Sequence, residues 1–297
     1  MAASSLMTGY GKPYGSTLRG AVKMALLAGW FGLTFLYQTP LLWFSNRFYF
    51  RGARFFHDTV RRILGIRVIQ RGEVSDKAPT LFVANHTSYL DIPVLGSIVT
   101  GSFIAKAEIE GWPVLGALCK LQRTLFIQRS VTQVAGQRDV MRARLEEGQN
   151  LMLFAEGTST DGCHVLPFRS SLFATVQKPL PDGKPIYIQP VSITAVGLDG
   201  LPMGRTLRPL YAWYGNMTMG GHGWPMLKLG RMAVIVEFHP TVANTDFKDR
   251  KQLAEHCTRM VRSGVERALA GREISLAIES ASPKKALAAS RPETVQS

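Results

Sequence analysis

From residue 64 onward, short apolar runs recur between longer, more polar stretches. "IRVIQRG", "TLFVAN", "GSFIAKAEI", "TLFIQR", "NLMLFAEG", "IYIQPVSITAV" and "AVIVEFHPTV" are rich in Val, Ile and Phe and are bounded by Gly, Pro or Asn. Each predicts a β-strand. Between the fourth and fifth runs, "VAGQRDVMRARLEEGQ" sets Val134, Met141 and Leu145 on one helical face, with Gly148 as a stop. Near the end, "DFKDRKQLAEHCTRMVRSGVERALA" carries Leu253, Met260, Val261, Val265 and Leu269 at helical spacing without a proline. Strands alternating with helices predict an α/β fold, a sheet covered by helices. Pro190 inside "IQPVSI" cannot donate to a ladder, so it marks an edge or a bulge. The pattern shows no internal repeat, and residues 273–297 have the composition of a disordered tail.

The longest apolar stretch lies at the N-terminal end, "MALLAGWFGLTFLYQTPLLWF" over residues 24–44. Its length suits one span of about 30 Å of hydrocarbon. Gln38 and Pro40 interrupt it, so residues 24–37 also fit a helix lying in the interface or re-entering. A buried core helix satisfies the same length. A secretory signal fits less well, because aromatics fill the place where a cleavage site needs small residues.

Composition gives this segment a setting. The 297 residues are 46 % hydrophobic and 19 % charged, enough for a substantial core, and the net charge is +14. Such a balance favours an anionic partner: nucleic acid, an anionic membrane, or an acidic carrier or substrate. Over residues 1–75 ten basic residues stand against Asp58 and Glu73, a net +8 beside the apolar stretch. Basic residues flanking an aromatic-rich apolar segment suit an anionic membrane surface. Basic residues crowd the segment from Arg47 to Arg71, so a spanning segment would leave the main domain in the cytoplasm. The expected organisation is a membrane-associated segment over 1–58, a catalytic domain over 59–272 and the tail over 273–297. No zinc-finger spacing, RNP-like motif or basic recognition helix is evident, which argues against a nucleic-acid module. The three cysteines, Cys119, Cys163 and Cys257, are odd in number and far apart. They imply no disulfide framework, fit a reducing compartment and offer no metal-site spacing.

Candidate chemistry clusters at strand ends. "NHTSYLD" follows the second run and sets His86 five residues before Asp91. An imidazole acts as a general base near neutral pH, and a carboxylate on its other N–H controls its tautomer. The same stretch also reads as a helix-capping loop, with Asn85 or Ser88 as the cap. "LFAEGTSTDG" places Glu156, Gly157, Thr158 and Ser159 after the fifth run, where glycine admits close approach of a ligand. It reads equally as an ordinary turn. Arg129 closes "TLFIQR" and suits a phosphate or carboxylate, or simply solvent. In an α/β sheet these strand ends can converge at one edge.

Taken in order, "NHTSYLD", "FIQR", "FAEGTS" and "QPVS" resemble the four blocks of the glycerolipid acyltransferase family, over roughly residues 60–240. The family blocks are N-H-x-x-x-x-D, F-I-D-R, F-P-E-G-T-R-S and V-P-[IV]. The resemblance implies a central mixed sheet and transfer of an acyl group from an acyl-carrier protein or coenzyme A thioester to a lipid hydroxyl. By match, His86 is the general base and Asp91 orients it. Arg129, Glu156, Gly157, Thr158 and Ser159 fall at acceptor-binding positions. It implies no metal and no redox cofactor, and a place at the inner membrane with the active site facing the cytoplasm.

Departures from the pattern bear on the acceptor. Gln128 replaces an Asp, Ala155 a Pro, and Ser159 the phosphate-gripping Arg. Losing a charge-assisted hydrogen bond of that kind removes about 1.5–3 kcal/mol. The flanks "EGTSTDGCHVLPFRSSLF" and "AWYGNMTMGGHGWPML" resemble the lyso-ornithine lipid O-acyltransferase branch, whose acceptor carries a carboxylate and an amine but no phosphate. Lysophosphatidate acylation is the alternative, alone or beside it. From other classes, a serine hydrolase lacks its G-x-S-x-G elbow here. A non-catalytic membrane scaffold would be indifferent to loss of His86.

Overall fold

A computed structural model of the chain describes residues 15–42, 46–127 and 134–271. All seven expected strands form: β1 (Ile66–Arg71), β2 (Thr80–Ala84), β3 (Ser102–Lys106), β4 (Leu125–Ile127), β5 (Leu151–Phe154), β6 (Tyr187–Leu198) and β8 (Met232–Phe238). Two-residue strands β7 (Leu201–Pro202) and β9 (Val242–Ala243) pair with β6. The order β1-β8-β6-β2-β5-β3-β4 makes one mixed sheet. Strands β6, β2, β5, β3 and β4 run parallel to one another, whereas β8 runs antiparallel to β6.

The two-residue period of β2 sorts its side chains. Leu81 and Val83 face a core built with Met141 and Leu145 of α5 (Val134–Glu146) and Leu253, Cys257, Val261 and Val265 of α7 (Arg250–Leu269). Phe82 and Ala84 face the opposite core. There they meet Phe56, Val60 and Leu64 of α2 (Asn46–Leu64), Val94 and Leu95 of α3 (Asp91–Gly96), and Met226 and Leu227 of α6 (Met219–Lys228). Because both faces of β2 are covered, every one of its residues is buried. The sheet is thus covered by helices on both sides; the short α4 (Leu115–Leu121) completes the set.

The N-terminal helix α1 is longer than the apolar stretch, Thr17–Leu41, with Ser16 capping the Arg19 N–H and Pro40 in its last turn. Its patterning is inverted. Gly20, Lys23, Thr34 and Gln38 are buried, while Leu18, Val22, Met24, Leu26, Leu33, Phe35 and Leu36 are exposed. The polar side packs on the protein, where Lys23 Nζ donates to the carbonyls of Leu64 (2.6 Å) and Leu229 (2.9 Å) and Gln38 Nε2 to that of Tyr49 (3.3 Å).

Two expectations change, and one helix was not expected at all. The boundary after residue 58 falls inside α2, which runs on to Leu64 and puts both sides of that boundary in the same core. Helix α2 itself went unseen because arginines break up its apolar text; yet Ala53, Phe56, Val60 and Leu64 keep helical spacing and are buried. Pro190 lies on an interior strand, not an edge, and the register shift in β6 is at Ala195/Gly197. Its carbonyl accepts the His239 N–H, just past the end of β8 and before β9 begins, so its missing donor falls between two partner strands. The tail over 273–297 lies outside the described residues.

Candidate active site

Parallel pairing of β2 with β5 brings the two strand ends side by side, and the segments after them interlock. The Ala155 N–H donates to the Ala84 carbonyl (3.2 Å) and the Thr160 N–H to the His86 carbonyl (3.0 Å). Asn85 is not a helix cap. Its amide donates to the Ile193 carbonyl (2.9 Å) and accepts the Ile193 N–H (2.8 Å), fixing the end of β2 to β6. Ser88 Oγ does accept a local N–H, that of Leu90 (3.3 Å).

His86 Nδ1 lies 3.0 Å from Asp91 Oδ2. The same oxygen accepts the N–H groups of Thr87 (2.7 Å) and Ser88 (2.9 Å), and Oδ1 accepts the Tyr211 hydroxyl (2.8 Å). An ionised carboxylate only accepts, so four converging donors suit the anion. That assigns the Nδ1 hydrogen to the imidazole and leaves the Nε2 lone pair for chemistry. Asp91 is completely buried, whereas the His86 side chain keeps 20 % of its surface exposed. The imidazole stacks on Phe154, with ring centroids 4.2 Å apart and planes 19° apart, which holds its orientation.

Tyr211 escaped the sequence reading, since it lies 120 residues from Asp91. Burial first, then the Asp91 charge, raises its phenol well above the usual value, so it stays a donor. Its segment is bolted on a second time, where the Trp213 N–H donates to the Thr87 carbonyl (2.9 Å). Tyr89 adds a contact to the same wall, its hydroxyl 3.0 Å from His222 Nδ1.

Glu156 joins the site from the inside. Only 2 % exposed, it accepts the His86 N–H on Oε1 (2.9 Å) and the Leu166 N–H on Oε2 (3.2 Å). Burial pushes its carboxyl from 4.5 up to about 7; the two N–H donors oppose that and the Asp91 charge adds to it. Its carboxylate therefore ties two loops together instead of facing outward. Gly157 turns the chain at φ +70°, and a Cβ there would stand 2.9 Å from Arg169 Nε. Thr158 is exposed and Ser159 half-buried. Arg129 lies outside the described residues. Among the described residues no three His, Cys, Asp or Glu side chains gather as a metal site.

The acyltransferase family pattern matches residues 65–194, the stretch holding both interlocked loops. The lyso-ornithine lipid O-acyltransferase of Brucella abortus is 38 % identical over 241 residues, covering 80 % of this chain and 90 % of that one. The 1-acyl-sn-glycerol-3-phosphate acyltransferase of Neisseria gonorrhoeae is 30 % identical over 65 % of this chain and 74 % of its own. Among solved structures, the 1-acyl-sn-glycerophosphate acyltransferase of Thermotoga maritima superposes with a TM-score of 0.61 at 21 % identity, covering 84 % of this chain and 93 % of that one.

Proposed function

Since the chain belongs to the acyltransferase family, we propose that it moves a fatty acyl group from an acyl-carrier protein or coenzyme A thioester to the hydroxyl of lyso-ornithine lipid. The observation that carries the chemistry is the buried Asp91 carboxylate on His86 Nδ1, at the end of β2. In this reading Nε2 takes the acceptor's hydroxyl proton as its oxygen attacks the thioester carbonyl. The tetrahedral oxyanion collapses, the C–S bond breaks, and the thiolate leaves with the proton returned by the imidazolium. Asp91 stabilises that imidazolium and keeps its tautomer. Glu156 acts by positioning the His86 loop. Arg129, Gly157, Thr158 and Ser159 are assigned to the acceptor side, and the reaction uses no metal or redox cofactor.

Two observations favour lyso-ornithine lipid over lysophosphatidate. The Brucella relative is the more similar of the two compared, over more of both chains. Ser159 also removes a guanidinium that a phosphomonoester would use. The same reading places the protein on the cytoplasmic face of the inner membrane. Support comes from the apolar outer side of α1 and from a cleft of about 500 Å³ lined by Arg51, Arg54, Arg61 and Arg62 against Asp58. Phe55 in that cleft packs edge-on to Trp30 of α1, so the basic groups adjoin the apolar helix.

Membranes carrying the protein, supplied with acyl-carrier-protein donor and each lysolipid, test the reading by mass spectrometry. Ornithine lipid is expected, and His86→Ala is expected to abolish it while the protein stays folded and membrane-bound. Phosphatidate as sole product would replace the acceptor; undiminished turnover by His86→Ala would remove His86 as the base.

A further inference from the structure

Ser159 leaves the E-G-T turn without a guanidinium, yet either acceptor presents an acidic group. Arg208 offers one from another part of the chain. It opens the 3-10 turn Arg208–Leu210, and its backbone is held by the bond from its N–H to the Gly204 carbonyl (3.2 Å). The turn leads directly into Tyr211 and Trp213, the residues bonded to Asp91 and Thr87, so the position of Arg208 relative to His86 is fixed. The side chain reaches the loop after the E-G-T turn. A Cβ on Gly162 would lie 2.9 Å from the Thr87 methyl and 3.9 Å from Arg208 Cδ, so Arg208, this loop and the neighbour of His86 share one wall.

The guanidinium is poorly matched there. Its Nη1 lies 3.2 Å from Cys163 Sγ, a weak acceptor, and its buried Nε has no partner among the described residues. The acid of that loop, Asp161, is engaged with the Cys163 N–H (2.9 Å) and the His164 ring (3.3 Å). An always-charged group with a buried, unanswered donor is costly, and a carboxylate or phosphate accepting from Nε and an Nη matches its fork geometry. Arg169, another guanidinium near the turn, is exposed and uses its Nε on the Glu156 carbonyl (3.2 Å).

We propose that Arg208 binds the acidic group of the lysolipid acceptor, supplying from the 208–213 segment the guanidinium that is missing at position 159. The proposal rests on the acyltransferase reading and deepens it, and it holds for a carboxylate or a phosphate.

Steady-state acyl transfer to three acceptors tests it: lyso-ornithine lipid, its carboxamide analogue, and lysophosphatidate. Wild type is expected to show a KM for lyso-ornithine lipid at least about 10-fold below that for the carboxamide. Arg208→Gln is expected to raise KM for the acidic acceptors about 10- to 100-fold, with kcat changed less than about 3-fold and the carboxamide unaffected. Arg208→Lys, which keeps the charge, should recover part of the loss. Equal wild-type KM values for acid and carboxamide overturn the proposal whatever the variants do, and so does an Arg208→Gln effect of the same size on all three. Turnover of lysophosphatidate alone overturns only the choice of acceptor; Arg208 is then judged on lysophosphatidate against monoacylglycerol. No turnover of any acceptor removes the function and this role together.

Discussion

Asp91 and Glu156 are carboxylates buried at one sheet edge, and their partners separate their work. Asp91 meets three strong donors besides the His86 ring, whereas Glu156 meets two N–H groups and little else. For Glu156 burial therefore wins, and its carboxyl rises from 4.5 to about 7. A raised carboxyl pKa means that folding favours the protonated form. Its stabilisation is complete below pH 4.5 and is lost as pH climbs to about 7. A shift of that size bounds the loss at roughly 3 kcal/mol. Glu156→Gln cannot titrate, so wild-type stability should fall relative to the variant across that window. Denaturant unfolding at closely spaced pH values reads the difference, and parallel curves for the two proteins would exclude this ionisation.

Elements were legible where their code is local. All seven strands follow from their own Val, Ile and Phe content, and convergence of the His86 and Glu156 turns follows from parallel β2 and β5. Helix α2 was obscured because its exposed arginines interrupt a buried face that keeps helical spacing. Tyr211 and Arg208 were illegible for a different reason: they reach the site from a segment with no strand or helix pattern, through contacts that only the folded chain creates. The inverted face of α1 also needed the structure, since an apolar helix advertises no buried side. Lys23 marks that side. Its ammonium sits where the carbonyls of Leu64 and Leu229, at the ends of α2 and α6, lack helical partners. Lys23→Met keeps the side-chain length but leaves these buried carbonyls unanswered, at a cost of about 1–3 kcal/mol. Lower unfolding midpoints and faster chymotryptic cleavage at Trp30, Phe31, Phe35 or Tyr37 are expected, and an unchanged midpoint would show that the carbonyls find other donors.

On the scale of the whole molecule, the outward face of α1 and the arginine cleft beside it make one amphipathic surface. Leu18, Val22, Leu26, Leu33 and Leu36 lie on a helix whose Lys23, Thr34 and Gln38 are already turned inward, so water would meet an apolar stripe of unusual extent. Lipid covers such a stripe at a gain of roughly 25 cal/mol per Å² of apolar surface. Charge attraction by Arg51 and Arg62 adds to this only within about a Debye length, near 3 Å at 1 M salt. The two contributions therefore separate in sedimentation with vesicles. Wild type should stay bound in about 1 M salt, where screening removes the charge contribution and leaves the apolar one. Arg51→Gln with Arg62→Gln should weaken binding to anionic vesicles at low salt without changing binding to zwitterionic ones. Leu18→Ser, Val22→Ser, Leu26→Ser and Leu33→Ser together should release the protein from both kinds, while Lys23 and Gln38 still dock α1 on the sheet domain. Release of wild type by salt alone would assign the attachment to the arginines and leave the apolar face of α1 to some covering other than lipid.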